Sequence, residues 1–189
     1  MADTILTLNE LGELFYDLIV AMIGGSPAID VRRSWPAGGA PAWGITDDVI
    51  FFNVSEDDNP INRQRDVVFS NMGSPYTDDL NQASAYTRYL RVGFVFYGPN
   101  SLGNSQVVRD FMFYQTHRET LAKNNIYLIP DTVAPKRAPE IFQGQWWERV
   151  DMSMNFNELV IRNLTIPAIT SAEVIVYDED GQVADVTIP

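Results

Sequence analysis

Gln143-Gly-Gln-Trp-Trp-Glu-Arg-Val-Asp-Met-Ser-Met-Asn-Phe-Asn-Glu-Leu-Val160 is the stretch that decides the fold. It reads as one long, two-faced β-strand with a tandem Trp at its entrance. From Val150 onward, Val150, Met152, Met154, Phe156 and Val160 take one side, and Arg149, Asp151, Ser153, Asn155 and Asn157 take the other. Strict alternation places one face in a core and leaves the other wet or pressed on a polar partner. The run is far longer than the usual strand of about 5–6 residues. A strand of that length suits a sheet built to span something or to extend across a subunit boundary. None of its residues is placed for catalysis.

Working outward, Ser84 to Tyr97 is a second long strand, with Tyr86, Leu90, Val92, Phe94 and Phe96 on one face and Tyr89, Val95 and Tyr97 on the other. Shorter strands are expected at 28–35, Val49–Val54, 64–70 and Ile126–Ile129. Pro36 to Pro41 is a Gly- and Pro-rich breaker, Ser55 to Pro60 a charged loop, and Met72 to Tyr76 a turn. Residues 131–144 are Pro-rich and irregular, and Ile166-Pro167 marks a bend. A terminal hairpin joins Glu173–Tyr177 to Val183–Ile188 around Asp178-Glu-Asp-Gly181. Two helices punctuate the strands. The first, about 7–23, carries Leu8, Leu11, Phe15, Leu18 and Met22 at helical spacing, opens on a Thr7/Glu10 capping box and stops at Gly24-Gly25. The second runs from Ser105, its expected N-cap, to Lys123. Without regular alternation of strand and helix, this order predicts an α+β fold. Its sheet is mixed and largely antiparallel, flanked by two main helices, with a C-terminal β-hairpin. One domain is expected over 1–189, with the hairpin at 172–189 either core or an interface arm.

The composition narrows function further. The 189 residues are 46% hydrophobic and carry a net charge of −12. Such acidity repels a phosphate backbone, so binding nucleic acid by counterion release is not expected. It does suit the lining of a passage through which DNA must slide without sticking, or simply solubility. The chain holds no Cys and one His. Disulfides, thiolate chemistry and multi-His metal sites are therefore excluded. His117 lies on a helix with no Ser in a nucleophile-elbow pattern, and no phosphate-cradling glycine loop occurs. The acid clusters Glu56-Asp57-Asp58 and Asp178-Glu179-Asp180 lack the spacing of a calcium loop. No catalytic, cofactor or metal residue is expected. The N-terminus shows no basic region or cleavage pattern, so no secretory signal is expected, and Leu14 to Ile23 is too short to span a bilayer.

Trp146 and Trp147 have two readings. Adjacent strand residues face opposite ways, so one Trp belongs to the core and the other to a partner, or both pack under the Pro-rich loop. Arg32 and Arg33, with Trp35 beyond them, are likewise an interfacial cluster or a solvated edge. Lys136-Arg137 stands out as a basic pair in an acidic chain.

The N-terminal Leu-rich helix, the Tyr89-Leu-Arg-Val-Gly-Phe-Val-Phe-Tyr97 strand and the Trp146-Trp-Glu-Arg-Val-Asp-Met-Ser-Met-Asn-Phe-Asn157 strand together resemble the neck or tail-terminator proteins of long-tailed bacteriophages, over about residues 5–180. The resemblance implies a structural virion protein, not an enzyme, that forms a six-fold ring. Such a ring caps the tail tube, docks on the head-to-tail connector, sometimes meets the sheath, and passes genomic DNA without specific binding. Assembly takes place in the host cytoplasm, with no membrane involved. On this reading Arg32, Arg33, Trp35, Lys136, Arg137, Trp146, Trp147 and Arg149 are interface residues. Glu56, Asp57, Asp58, Asp178, Glu179 and Asp180 face the lumen. The alternatives are a tail-tube or connector-adaptor subunit and, more distantly, a carboxylate-using enzyme.

Overall fold

Thr7 begins the architecture as the sequence predicts. In the computed structural model, which describes residues 3–35, 39, 41–71, 79–167, 172–178 and 181–188, its hydroxyl accepts the Glu10 amide at 3.2 Å. Its own amide donates to the Glu10 carboxylate at 2.7 Å. This reciprocal cap opens helix α1 (Leu8–Met22). Gly24 and Gly25, both at positive φ, supply the left-handed backbone that ends it.

The chain then runs through β1 (Ile29–Arg33), β2 (Asp48–Glu56), a 3-10 turn (Pro60–Arg63), β3 (Asp66–Asn71) and β4 (Asp79–Tyr97). Helices α2 (Ser101–Phe111) and α3 (Gln115–Ala122) follow. After them come β5 (Ile126–Leu128), β6 (Lys136–Arg137), β7 (Glu140–Phe142), β8 (Gln145–Trp147), β9 (Arg149–Pro167), β10 (Ala172–Asp178) and β11 (Gly181–Ile188). The main sheet has the order β1-β2-β4-β9-β5, with β3 on β4 and β6 on β9. β1–β2 is parallel, whereas β2–β4, β3–β4, β5–β9 and β6–β9 are antiparallel. β7–β8 and β10–β11 form separate antiparallel hairpins. This is the α+β, mostly antiparallel mixed architecture expected.

The chain divides into two compact units. The larger holds residues 4–64 and 86–160. In it, every second residue of the long strands points at the helices. Leu90, Val92, Phe94 and Phe96 from β4, and Val150, Met152, Met154 and Phe156 from β9, are buried. They pack with Leu11, Phe15, Leu18 and Ile19 of α1, and with Val108, Met112 and Leu121. Phe15 and Phe156 meet edge to face at 5.0 Å. Burial of each such side chain contributes roughly 1.5–3 kcal/mol. The smaller unit holds residues 1–3, 65–85 and 161–189. β3 pairs with the first part of β4, from Asp66 opposite Ala85 to Asn71 opposite Leu80. Asp3 accepts the Asn163 amide at 2.9 Å and pairs with Arg162. The β10–β11 hairpin belongs to this unit, with a bulge between Val176 and Tyr177.

Three expectations need correction. The single second helix is two. On one straight helix Val108 and Leu121 would point about 140° apart; a break at Met112–Tyr114 lets both reach the core. Tyr114 is extended there and stacks on Phe111 at 4.7 Å, while His117 Nδ1 meets the Phe111 carbonyl at 2.8 Å. Ser105 is not the N-cap: α2 starts at Ser101, and the Ser105 hydroxyl donates to the Leu102 carbonyl inside the helix. The long strand is also divided. Trp146 and Trp147 lie on β8, which turns back on β7 at Gln143 and Gly144, both at positive φ. β9 begins at Arg149 and continues through the expected bend to Pro167. The turn at Met72–Tyr76 and most of the breaker at Pro36–Pro41 lie outside the described residues.

Candidate interaction surface

Helices cover one face of the larger unit's sheet. The other face presents the odd-numbered residues of β2, β4 and β9. One end of it is aromatic. Trp43, carried by the segment before β2, packs on Phe51 at 5.0 Å, Tyr97 at 5.7 Å and Trp147 at 6.2 Å. Phe142 meets Trp147 at 6.0 Å. The Arg32 guanidinium lies over the Trp43 and Phe51 rings at 5.6 and 5.9 Å, a cation–π arrangement. The indole N–H groups of Trp43 and Trp147 are buried without a hydrogen-bond partner.

A polar network adjoins this cluster. The Tyr97 hydroxyl donates to Glu140 at 2.7 Å, and Arg149 donates to the other Glu140 oxygen at 2.9 Å and to Asp151 at 2.7 and 3.1 Å. Burial, followed by the bond to Glu140, pushes the Tyr97 phenol up to about 12. The Tyr97 bond, aided by Arg149 and opposed by burial, holds the Glu140 carboxyl below its ordinary value. The bonds to Asp151 lead in keeping Arg149 charged.

Beyond this network the face hollows into a groove of about 490 Å³. Asn53, Gly93 and Ser153 form its floor, Val133 and Ala134 wall it, and Arg91, Lys136 and Arg149 bring positive charge against one carboxylate, Asp151. Gly93 keeps the floor low: a Cβ there would fall 2.7 Å from Asn53 Oδ1.

The expected interface residues divide into two kinds. Trp35 is 85% exposed at positive φ, and Trp146 is 65% exposed. Lys136 is exposed on β6; Arg137 beside it holds Glu148 at 2.8 and 3.0 Å. Arg32, Arg149 and Trp147, in contrast, are engaged within the aromatic and polar networks. Arg33 donates to Asn9 at 2.8 Å and covers Gly12, joining β1 to α1. Of the expected lumen acids, Glu56 ends β2, Asp57 lies 3.9 Å from Arg91, and Asp58 pairs with Arg63 at 3.3 Å. Asp178 ends β10, while Glu179 and Asp180 lie outside the described residues. Sequence reasoning missed Trp43 and the Tyr97–Glu140 bond, which long-range packing brings together from separate segments.

A family model for phage neck terminator proteins matches residues 9–181. The chain belongs to the phage neck terminator family. No curated protein matches it. The family match runs from α1 to the start of β11, so it takes in residues of both units. As a neck terminator, the chain is a structural phage protein of the virion that serves to end the tail. Terminator function implies oligomerisation and contact with other head or tail proteins. Among the described residues, no helix is long and apolar enough to cross a membrane.

Proposed function

We propose that copies of this chain close into a six-fold ring at the neck of a long-tailed phage. The ring ends growth of the tail tube, docks on the head-to-tail connector, meets the sheath where one is present, and lets genomic DNA pass through an acidic hole. The family match over residues 9–181 carries this reading. Exposed Trp35 and Trp146 support it, because large aromatics left in water are the usual anchors of protein contacts. Lys136 and Arg137 join them at the contact surface, and Arg32, Arg33, Arg149 and Trp147 hold that surface in shape. Glu56, Asp57 and Asp58 line the hole, where negative charge keeps DNA from adhering. The whole chain acts as one module, with the C-terminal hairpin as its arm. Assembly takes place in the host cytoplasm.

Light scattering at rising concentration, with electron micrographs of the protein alone and mixed with tail tubes, tests the reading. Closed rings of about six copies that cap tubes are the expected result. A monomer that never binds tubes overturns it. Long open tubes built from this protein alone make it a tube subunit instead.

A further inference from the structure

The groove and the C-terminal segment differ in charge: three cations, Arg91, Lys136 and Arg149, line the groove against one carboxylate, Asp151, which faces Lys136 across the β6–β9 pairing. After Arg162 the sequence holds Glu173, Asp178, Glu179, Asp180 and Asp185, and no Lys or Arg. Asp178 ends β10, and Glu179 and Asp180 follow it in the sequence before β11 begins at Gly181. The hairpin forms a two-stranded sheet of its own among the described residues. A lone two-stranded hairpin is marginal in water and gains stability by packing on something else. The groove offers a fitting receptor. Lys136 is exposed, and its ammonium makes no ion pair among the described residues, whereas its neighbours Arg137 and Arg149 do. Arg91 is held only loosely, at 3.9 Å from Asp57 and 3.5 Å from the Ser153 hydroxyl. The floor of Asn53, Gly93 and Ser153 leaves space for an extended polar chain and donors to meet it.

We propose that the acidic segment Asp178-Glu179-Asp180 of one copy seats in the groove of the next copy, between Arg91 and Lys136. The proposal rests on the ring reading and names the contact that closes the ring. A segment of one copy in a groove of the next is a head-to-tail contact, the kind that generates rings. Charge-assisted hydrogen bonds in a partly enclosed groove are the strong ones. The contact takes Asp178, Glu179 and Asp180 away from the lumen and leaves that lining to Glu56, Asp57 and Asp58. Of those three, Asp58 is already paired with Arg63 of its own chain.

The absence of Cys makes a clean test possible. Full-length Val133→Cys, in the groove wall, is mixed with full-length Glu179→Cys and oxidised. A mixed disulfide dimer is expected, well above the yield when Thr120→Cys, on the helix side, replaces Val133→Cys. In parallel, Arg91→Glu with Lys136→Glu weakens self-association by about tenfold or more, as does Asp178→Lys with Asp180→Lys. Mixing the two reversed proteins restores it. If wild type associates, yet the reversals leave association unchanged or the mixed disulfide does not exceed the Thr120→Cys control, the groove contact is wrong and the ring stands. If wild type stays monomeric alone and with tail tubes, ring and contact fall together.

Discussion

Arg88 and Glu158 show what a single pair of residues does in this fold. Both sit on the buried faces of the long strands, Glu158 fully enclosed and Arg88 only 7% exposed. Arg88 Nε donates to Glu158 at 2.6 Å. The pair then grips the backbone of Leu6: the Leu6 amide donates to Glu158 Oε1 at 3.1 Å, and Arg88 Nη2 donates to the Leu6 carbonyl at 2.7 Å. It thus satisfies a segment that no strand pairs. Glu158→Ala leaves a buried, uncompensated guanidinium and is expected to cost about 3–5 kcal/mol in chemical denaturation. The double variant Arg88→Met, Glu158→Leu recovers part of that loss but stays below wild type, because both Leu6 groups lose their partners. The pair was legible. One cation among Tyr86 and Leu90, and one anion between Phe156 and Val160, are opposite charges on two apolar faces. Alternation read for its apolar members passes over such exceptions. Tyr97 and Glu140 behave differently, because pH reaches them. The Glu140 carboxyl is depressed from 4.5, so its contribution is present above pH 4.5 and is lost as pH falls through the folded value. The Tyr97 phenol is raised from 10.0 to about 12, so its contribution is present below pH 10 and is lost as pH rises towards 12. Ultraviolet titration of wild type against Tyr97→Phe is expected to show one late-ionising phenol, with its midpoint at about 12, that the variant lacks.

At the scale of elements, caps and alternation were readable, while boundaries set by packing were not. The Thr7–Glu10 cap and the Gly24-Gly25 stop act within a few residues, so the local sequence contains them. The split between α2 and α3 depends on where the sheet places its hydrophobic floor, and the division of β8 from β9 on a turn at Gln143-Gly144 that a continuous apolar pattern conceals. Gly98 illustrates the same dependence. It ends β4 at φ 102°, and a Cβ there would stand 2.5 Å from the Asp47 carbonyl oxygen. Nothing in Tyr97-Gly98-Pro99 reveals that Asp47 crosses at that point. Gly98→Ala combines a strained backbone with a clash against the Asp47 main chain, at about 2–5 kcal/mol. Gly24→Ala shares the positive φ but meets nothing within 4 Å, so only the backbone term of about 1–2 kcal/mol remains. Thermal melts of the two variants should rank in that order, and equal losses would mean that the segment before β2 yields to the methyl.

For the whole molecule, the division into two units yields a sharper prediction than the net charge does. All four tryptophans, Trp35, Trp43, Trp146 and Trp147, lie in the larger unit. That unit has its own core, built from α1, α2, α3 and the sheet segments facing them. Among the described residues, every member of that core belongs to the larger unit. Removing residues 168–189 should therefore leave tryptophan emission unchanged. It should shift the fluorescence-detected melting midpoint by no more than about 2 °C, compared at a concentration too dilute for self-association. At higher concentration, wild type alone should gain stability as copies associate, because binding that favours the folded state raises its apparent midpoint. The truncated chain, deprived of its arm, should melt at one temperature regardless of concentration. A truncated chain whose tryptophans became solvated would place the hairpin in the folding of the larger unit itself. One that kept a concentration-dependent midpoint would put the contact between copies elsewhere, with the exposed Trp35 and Trp146 next to be tested.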